Sequence, residues 1–297
     1  MAQLPLLLLA VFSAARLTDA HCSIQADTDV VVYSATGAGG VGEYSDKWTR
    51  SFFGWWSAAN PGGLNVDFIT DRTEISEYYS NGCQLSDAAS YPRLKLWVQP
   101  GGNADKQSTS LGPGGRDNIL DFAASANGHY MGTCAGWYYA AGSYWWFNDF
   151  FPEAWMPHWW PTVEGPISAI AVYPAYSPTP VHADNGTQYT MIYYGGPATG
   201  LTNATGSQVP NGASVLAQYA ATNVPQGIPA VVNYQGRYVK ALFNSPHPEA
   251  EAGVGLQCDP PLPAGCITAA QQLQNWRFLA SNINNLLGTS WTIPSSL

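Results

Sequence analysis

The chain has 297 residues, room for one large domain or two small ones, and at 46% hydrophobic and 10% charged it can bury a sizeable core, which excludes a disordered chain. A net charge of -9 argues against nucleic acid and against an anionic membrane surface as partners. Twelve Trp and 17 Tyr are many for this length and point to an aromatic core or an aromatic-lined cleft.

Residues 1–20 read as a secretory signal. The apolar run 4–12 is too short to span a bilayer, and Thr18 and Ala20 place small residues at the cleavage point. No later run is long enough for a transmembrane helix. The mature protein is expected to begin near His21, as one secreted, soluble domain over 21–297 that leaves the membrane with its signal.

Residues 29–34 (DVVVYS) are dense in β-branched residues and read as a strand buried on both faces. A glycine loop at 37–40 leads to a helix at 45–59 carrying Trp48, Phe52, Phe53, Trp55 and Trp56, then a strand at 64–70. Strand, helix, strand at this spacing predicts a parallel βαβ unit. Residues 71–89 read as a loop with a short helix, and 94–99 as a third strand running into Pro100-Gly101-Gly102. A glycine-rich, mobile stretch is expected at 108–115 and a helix at 116–126.

The stretch Gly132-Thr133-Cys134-Ala135-Gly136 follows a short buried strand and precedes a small-residue helix start. A nucleophile at such a strand-to-helix elbow projects from a tight bend, and small neighbours let the backbone pack closely. A Cys there also lies at a helix amino terminus, where the dipole favours thiolate. The alternative is a buried Cys packed in a glycine-rich turn.

Residues 142–161 carry eight Trp and Phe with no clear period, expected to pack over the core or to face a carbohydrate or aromatic ligand. Short strands at 167–173, 188–194, 215–219, 230–233 and 238–243, punctuated by turn residues, predict antiparallel additions to the sheet. Residues 269–287 form a closing helix. No linker or internal repeat divides the chain.

Five cysteines in an oxidising compartment leave at least one thiol over. Cys258 and Cys266 bracket a Pro-rich loop and are expected to pair, as are Cys22 and Cys83, which leaves Cys134. Asn185 and Asn203 begin glycosylation sequons.

Beyond the last strand lies Pro246-His247-Pro248-Glu249. A His and a carboxylate two residues apart in a stiff turn suit a base and its orienter: the imidazole takes the thiol proton and the carboxylate fixes its tautomer. With the Cys134 elbow, both halves of one mechanism are present.

Together, Val98-Gln99-Pro100-Gly101-Gly102, Leu111-Gly112-Pro113-Gly114-Gly115, Asn118-Ile119-Leu120-Asp121-Phe122, Gly128 through Gly136, Tyr193-Tyr194-Gly195-Gly196 and Pro246-His247-Pro248-Glu249 cover most of the mature chain. They resemble the class I glutamine amidotransferase superfamily, and within it the domain at the amino terminus of eukaryotic biotin-protein ligases and its stand-alone relatives. The resemblance implies a flavodoxin-like α/β three-layer sandwich with a mostly parallel central sheet. It implies a triad of Cys134, His247 and Glu249, an oxyanion hole from the backbone amides of Ala135 and of Gly101 or Gly102, and a substrate-binding turn at Tyr194, Gly195 and Gly196. It implies no cofactor and no metal. The chain carries no biotin-ligase catalytic domain and no synthetase domain to receive ammonia.

The expected activity is therefore a cysteine hydrolase or amidase acting on a small amide or γ-glutamyl compound, with a small molecule as the partner. The competing reading is a ligand-binding protein that keeps the scaffold. A third reading, copper held by an amino-terminal His21 with one of His129, His158, His182 or His247, is disfavoured by Cys22 and by the α/β pattern.

Overall fold

The computed structural model describes residues 22–38, 44–80, 82–142, 156–157, 159, 164–166, 177–198, 211–220, 228–253 and 266–297. The expected signal at 1–20, His21, the strand at 167–173, Asn203, Cys258, His158 and nearly all of the aromatic segment at 142–161 lie outside them.

The strands are β1 (Val30–Tyr33), β2 (Val66–Ile69), β3 (Leu96–Gln99), β4 (His129–Thr133), β5 (Glu164–Pro166), β6 (Ser177–Ala183), β7 (Gln188–Tyr193), β8 (Pro197–Ala198), β9 (Ala213–Tyr219), β10 (Pro229–Gln235) and β11 (Lys240–Asn244). The helices are α1 (Tyr44–Ala58), α2 (Thr73–Ser76), α3 (Ala104–Ala124), α4 (Ala135–Ala141) and α5 (Ala269–Leu287). Among the described residues nine strands form one sheet in the order β2-β1-β3-β4-β11-β10-β9-β6-β7. The pairs from β2 to β11 are parallel, and those from β11 to β7 are antiparallel. This is the expected mostly parallel core with antiparallel additions.

Side-chain alternation along a strand sorts the core into two layers. Val30 and Val32 face Phe52, Phe53 and Trp56 of α1 and Trp276, Leu279 and Ile283 of α5. Val31 and Tyr33 face Leu111, Ile119 and Phe122 of α3 and Trp137 to Ala141 of α4. A strand dense in valine suits this position because both of its faces are dry.

Three elements differ from expectation. The stretch at 108–115 is not a loop: α3 starts at Ala104, capped by the Asn103 side chain, and bends at Gly112, whose φ of 59° breaks the helix before Pro113. Ser108, Ser110, Leu111, Gly114 and Gly115 are buried there. Glycine and proline mark the bend, and packing restores the helix on either side of it. Strand β6, with Pro178 and Pro180, was not foreseen. Pro180 turns its carbonyl towards β9 and accepts from the Ala220 N–H at 3.0 Å. The ladder to β9 starts only at Val181, so neither proline interrupts it. The last difference is long-range. β7 lies four places from β11 in the sheet, yet Ile192 bridges His247. The antiparallel half curls back, bringing the end of β7 over the carboxyl edge of the parallel half.

Candidate active site

Cys134 follows β4, and His247 lies three residues beyond β11. These strands are parallel neighbours with Thr133 opposite Asn244, so both segments leave the same sheet edge side by side. The turn Pro100-Gly101-Gly102 leaves that edge from β3, on the other side of β4. Ligand sites in open α/β sheets occupy this edge.

Cys134 has φ 52° and ψ -104° and is the one non-glycine residue with positive φ among those described. Such a conformation costs on the order of 1–3 kcal/mol and persists only where its surroundings enforce it. Here the Cys134 N–H donates to Asn244 O at 2.8 Å, tying the elbow to β11. Gly132 and Gly136 press together, and a Cβ on Gly136 would run into the Gln99 carbonyl. The glycines flanking the Cys are thus required by close approach. Cys134 is a free thiol, 5% exposed, and its sulfur donates to the Tyr194 carbonyl at 3.4 Å.

His247 and Glu249 are both 0% exposed, and His247 Nδ1 donates to Glu249 Oε1 at 2.8 Å. Their loop is pinned from three sides. The His247 N–H donates to Ile192 O at 2.8 Å, the Ser245 N–H to Ala230 O at 2.8 Å, and Trp276 Nε1 to Glu249 O at 2.9 Å. The Trp48 ring meets the imidazole edge-on at 5.5 Å. Burial by itself pushes the His247 pKa down. The Glu249 carboxylate, then a hydrogen-bonding interaction with Cys134, outweigh it and hold the imidazole at about 10, above its ordinary 6.5. Cys134 thus lies within electrostatic reach of the imidazole, while His247 Nε2 makes no well-aligned hydrogen bond among the described residues.

Ala135 heads α4, where first-turn N–H groups lack intrahelical acceptors. The two candidate amides on the β3 turn are not equivalent. The Gly101 N–H donates to Ser45 Oγ at 2.9 Å and is occupied, whereas Gly102 sits at φ 140° beside it. Of the pair, Gly102 is the one not held by Ser45. A Cβ at Gly101 would stand 2.5 Å from His247 Cε1, so this turn tolerates no side chain. The turn expected to bind substrate lies against the nucleophile: Tyr194 O receives the thiol, Gly195 O accepts from Tyr138 Oη at 3.3 Å, and Gly196 packs on the Ser245 carbonyl.

Two residues of the site carried no signal in the sequence. Ser45 and Trp48, on the first turns of α1, reach the His247–Glu249 pair, and only the packing of α1 across the edge brings them there. Asp67 does not reach the site; it accepts from the Gln25 N–H at 2.8 Å and from the Thr28 hydroxyl, clamping the start of the described chain. His182 and Asn185 are exposed on the β6–β7 hairpin.

Cys22 and Cys83 form a disulfide, as expected. Cys266 is also disulfide-bonded; its expected partner, Cys258, lies outside the described residues. Among the described residues the one grouping with metal-ligand spacing is Cys22, Glu74 and Cys83, and its two sulfurs are bonded to each other. No described helix is long and apolar enough to cross a membrane.

No family model and no curated protein sequence matches the chain. Solved structures do. A glutamine amidotransferase structure superposes with a TM-score of 0.50 at 12% identity, covering 88% of this chain and 99% of its own. A ThuA-like protein from Bacteroides uniformis gives 0.49 at 13% identity, covering 91% of this chain and 94% of its own. At this identity the likeness speaks for the fold: the chain has a glutamine amidotransferase-like scaffold.

Proposed function

We propose that this chain is a secreted cysteine hydrolase or amidase that acts on a small amide or γ-glutamyl compound through a thioester. The observation that supports it best is a free Cys134 on a positive-φ elbow facing a buried His247–Glu249 pair at the end of the adjacent parallel strand. On this reading the raised His247 pKa lets the imidazole hold, as imidazolium, the proton given up by the thiol, so that the sulfur attacks as thiolate. Its target is the amide carbonyl, and the amides of Ala135 and Gly102 meet the developing oxyanion. As the C–N bond breaks, His247 returns the proton to the leaving nitrogen. Water then attacks the thioester, with the same imidazole as base, and frees the acid. No cofactor enters these steps.

The loop motifs favour the biotin-protein ligase N-terminal-like branch of the scaffold family. The 1–20 signal, the single 21–297 domain and the sequon at Asn185 belong to the same secreted reading, which the Cys22–Cys83 disulfide favours.

The competing reading, a ligand-binding protein on this scaffold, draws on the burial of the sulfur and its bond to Tyr194 O. Alkylation separates the two. With iodoacetamide near pH 7, Cys134 in the unaltered protein is expected to label quickly, and His247→Ala to slow labelling by on the order of 100-fold. A γ-glutamyl anilide should add an acyl mass at Cys134. Equal, slow labelling in both proteins, with no acyl adduct, would leave the binding reading.

A further inference from the structure

Three candidates stand out beyond the triad. The cluster of Glu74 with the Cys22–Cys83 disulfide holds no free ligand sulfur. The tyrosine–aspartate pairs of Tyr78 with Asp121 and Tyr79 with Asp117 are exposed, and nothing indicates what would cover them. The third is Ser45, which is buried and lies inside the site.

We propose that Ser45 is a positioning residue for the His247–Glu249 pair, joining α1 and the β3 turn into one hydrogen-bonded chain with it. This rests on the hydrolase reading above and extends it. The Ser45 hydroxyl donates to Glu249 Oε1 at 3.0 Å, the same oxygen that accepts from His247 Nδ1 at 2.8 Å. The Ser45 oxygen in turn accepts from the Gly101 N–H at 2.9 Å. The chain therefore runs Gly101 N–H to Ser45 to Glu249, with His247 on the same carboxylate oxygen, and every member is buried.

Two consequences follow. Glu249 Oε2 has no hydrogen-bond partner among the described residues, so Oε1 alone fixes the carboxylate's rotation. Ser45 is its second donor, and a carboxylate with two donors on one oxygen cannot turn without breaking both. In addition, Ser45 holds the Gly101 backbone against the ring of His247, close enough that a Cβ on Gly101 would meet Cε1 at 2.5 Å. Ser45 thereby sets the imidazole from both sides: its partner carboxylate and the wall beside it. The Gly101 amide belongs to this positioning chain, which leaves the oxyanion to Gly102 and Ala135.

The test compares unaltered protein, Ser45→Ala, His247→Ala and, as control, Ser51→Ala, which removes a hydroxyl two turns along the same helix that donates to Glu251 Oε2 at 2.8 Å. Two readouts are used: the rate of Cys134 alkylation by iodoacetamide, and the far-downfield proton resonance of His247 Nδ1–H. Ser45→Ala is expected to slow alkylation about tenfold and to move the Nδ1–H resonance, whereas Ser51→Ala changes neither. If His247→Ala slows alkylation while Ser45→Ala alters neither rate nor resonance, the role of Ser45 is refuted and the hydrolase reading stands. If His247→Ala has no effect, both fall. A measurement without any substitution guards against a misfolded variant: the Gly101 amide hydrogen should exchange slowly in the unaltered protein, and rapid exchange would overturn the proposal.

Discussion

At the scale of residues, the site is a buried charge problem. His247 and Glu249 share a dry environment, and burial alone would strip the imidazole of its proton. The adjacent carboxylate reverses that. The sign of the linkage follows from the raised value. A His whose folded pKa lies above its unfolded one binds its proton more tightly when folded, so its stabilisation is complete below about 6.5 and is lost as pH climbs through about 10. The denaturation midpoint is therefore expected to fall between pH 7 and pH 10, and to fall less in His247→Gln. Identical pH profiles for the two proteins would contradict a charged pair. Cys134 belongs to the same scale. Its positive φ is a local strain that the sequence announced only through the small residues around it.

At the scale of elements, the carboxyl edge is held by helices as much as by strands. α5 begins with a capping box, the Thr268 hydroxyl accepting from the Gln271 N–H while the Gln271 side chain accepts from the Thr268 N–H. Two turns on, Trp276 reaches the Glu249 carbonyl, meets Phe52 edge-on at 6.0 Å and lies tilted against Trp55 at 5.3 Å. Trp276→Phe keeps a ring but removes the donor to a buried carbonyl, at a cost of about 1–3 kcal/mol. Chemical denaturation should read that loss, and Cys134 labelling should slow by less than in His247→Ala. A variant as stable as the parent would mean that the Glu249 carbonyl finds another donor. α3 makes a complementary point. Its Gly112-Pro113 bend lies inside a helix whose neighbouring turns are buried, so residues that read as a loop serve as a joint.

At the scale of the whole molecule, the amino-terminal segment is tied down covalently. The Cys22–Cys83 disulfide spans 61 residues, and closing a loop of that length stabilises by about 4 kcal/mol if chain entropy dominates. Cys22→Ala with Cys83→Ala is expected to lose stability of that order while Cys134 still labels. Under denaturing conditions without reductant one thiol should alkylate, and five after reduction. More than one thiol before reduction would refute the pairing of Cys258 with Cys266.

The α/β plan was legible in the sequence because it rests on local physics. The β-branched run at 29–34 reads as a strand buried on two faces, the short apolar run at 94–99 as another strand, and the helices at 45–59 and 269–287 carry their apolar stripes at helical spacing. The elbow and Pro246-His247-Pro248-Glu249 were legible as separate halves of one chemistry, each marked by residue types a tight bend or a stiff turn demands. Tertiary structure alone decided what meets them. Parallel pairing of β4 with β11 aligns the two halves. The curl of the antiparallel strands brings Ile192 and Tyr194 over His247, and the docking of α1 places Ser45 between Gly101 and Glu249. Local sequence dictates dihedrals and burial patterns over a few residues. A contact between residues 204 apart, such as Ser45 with Glu249, exists only once packing has fixed both backbones, and no neighbouring residue encodes it.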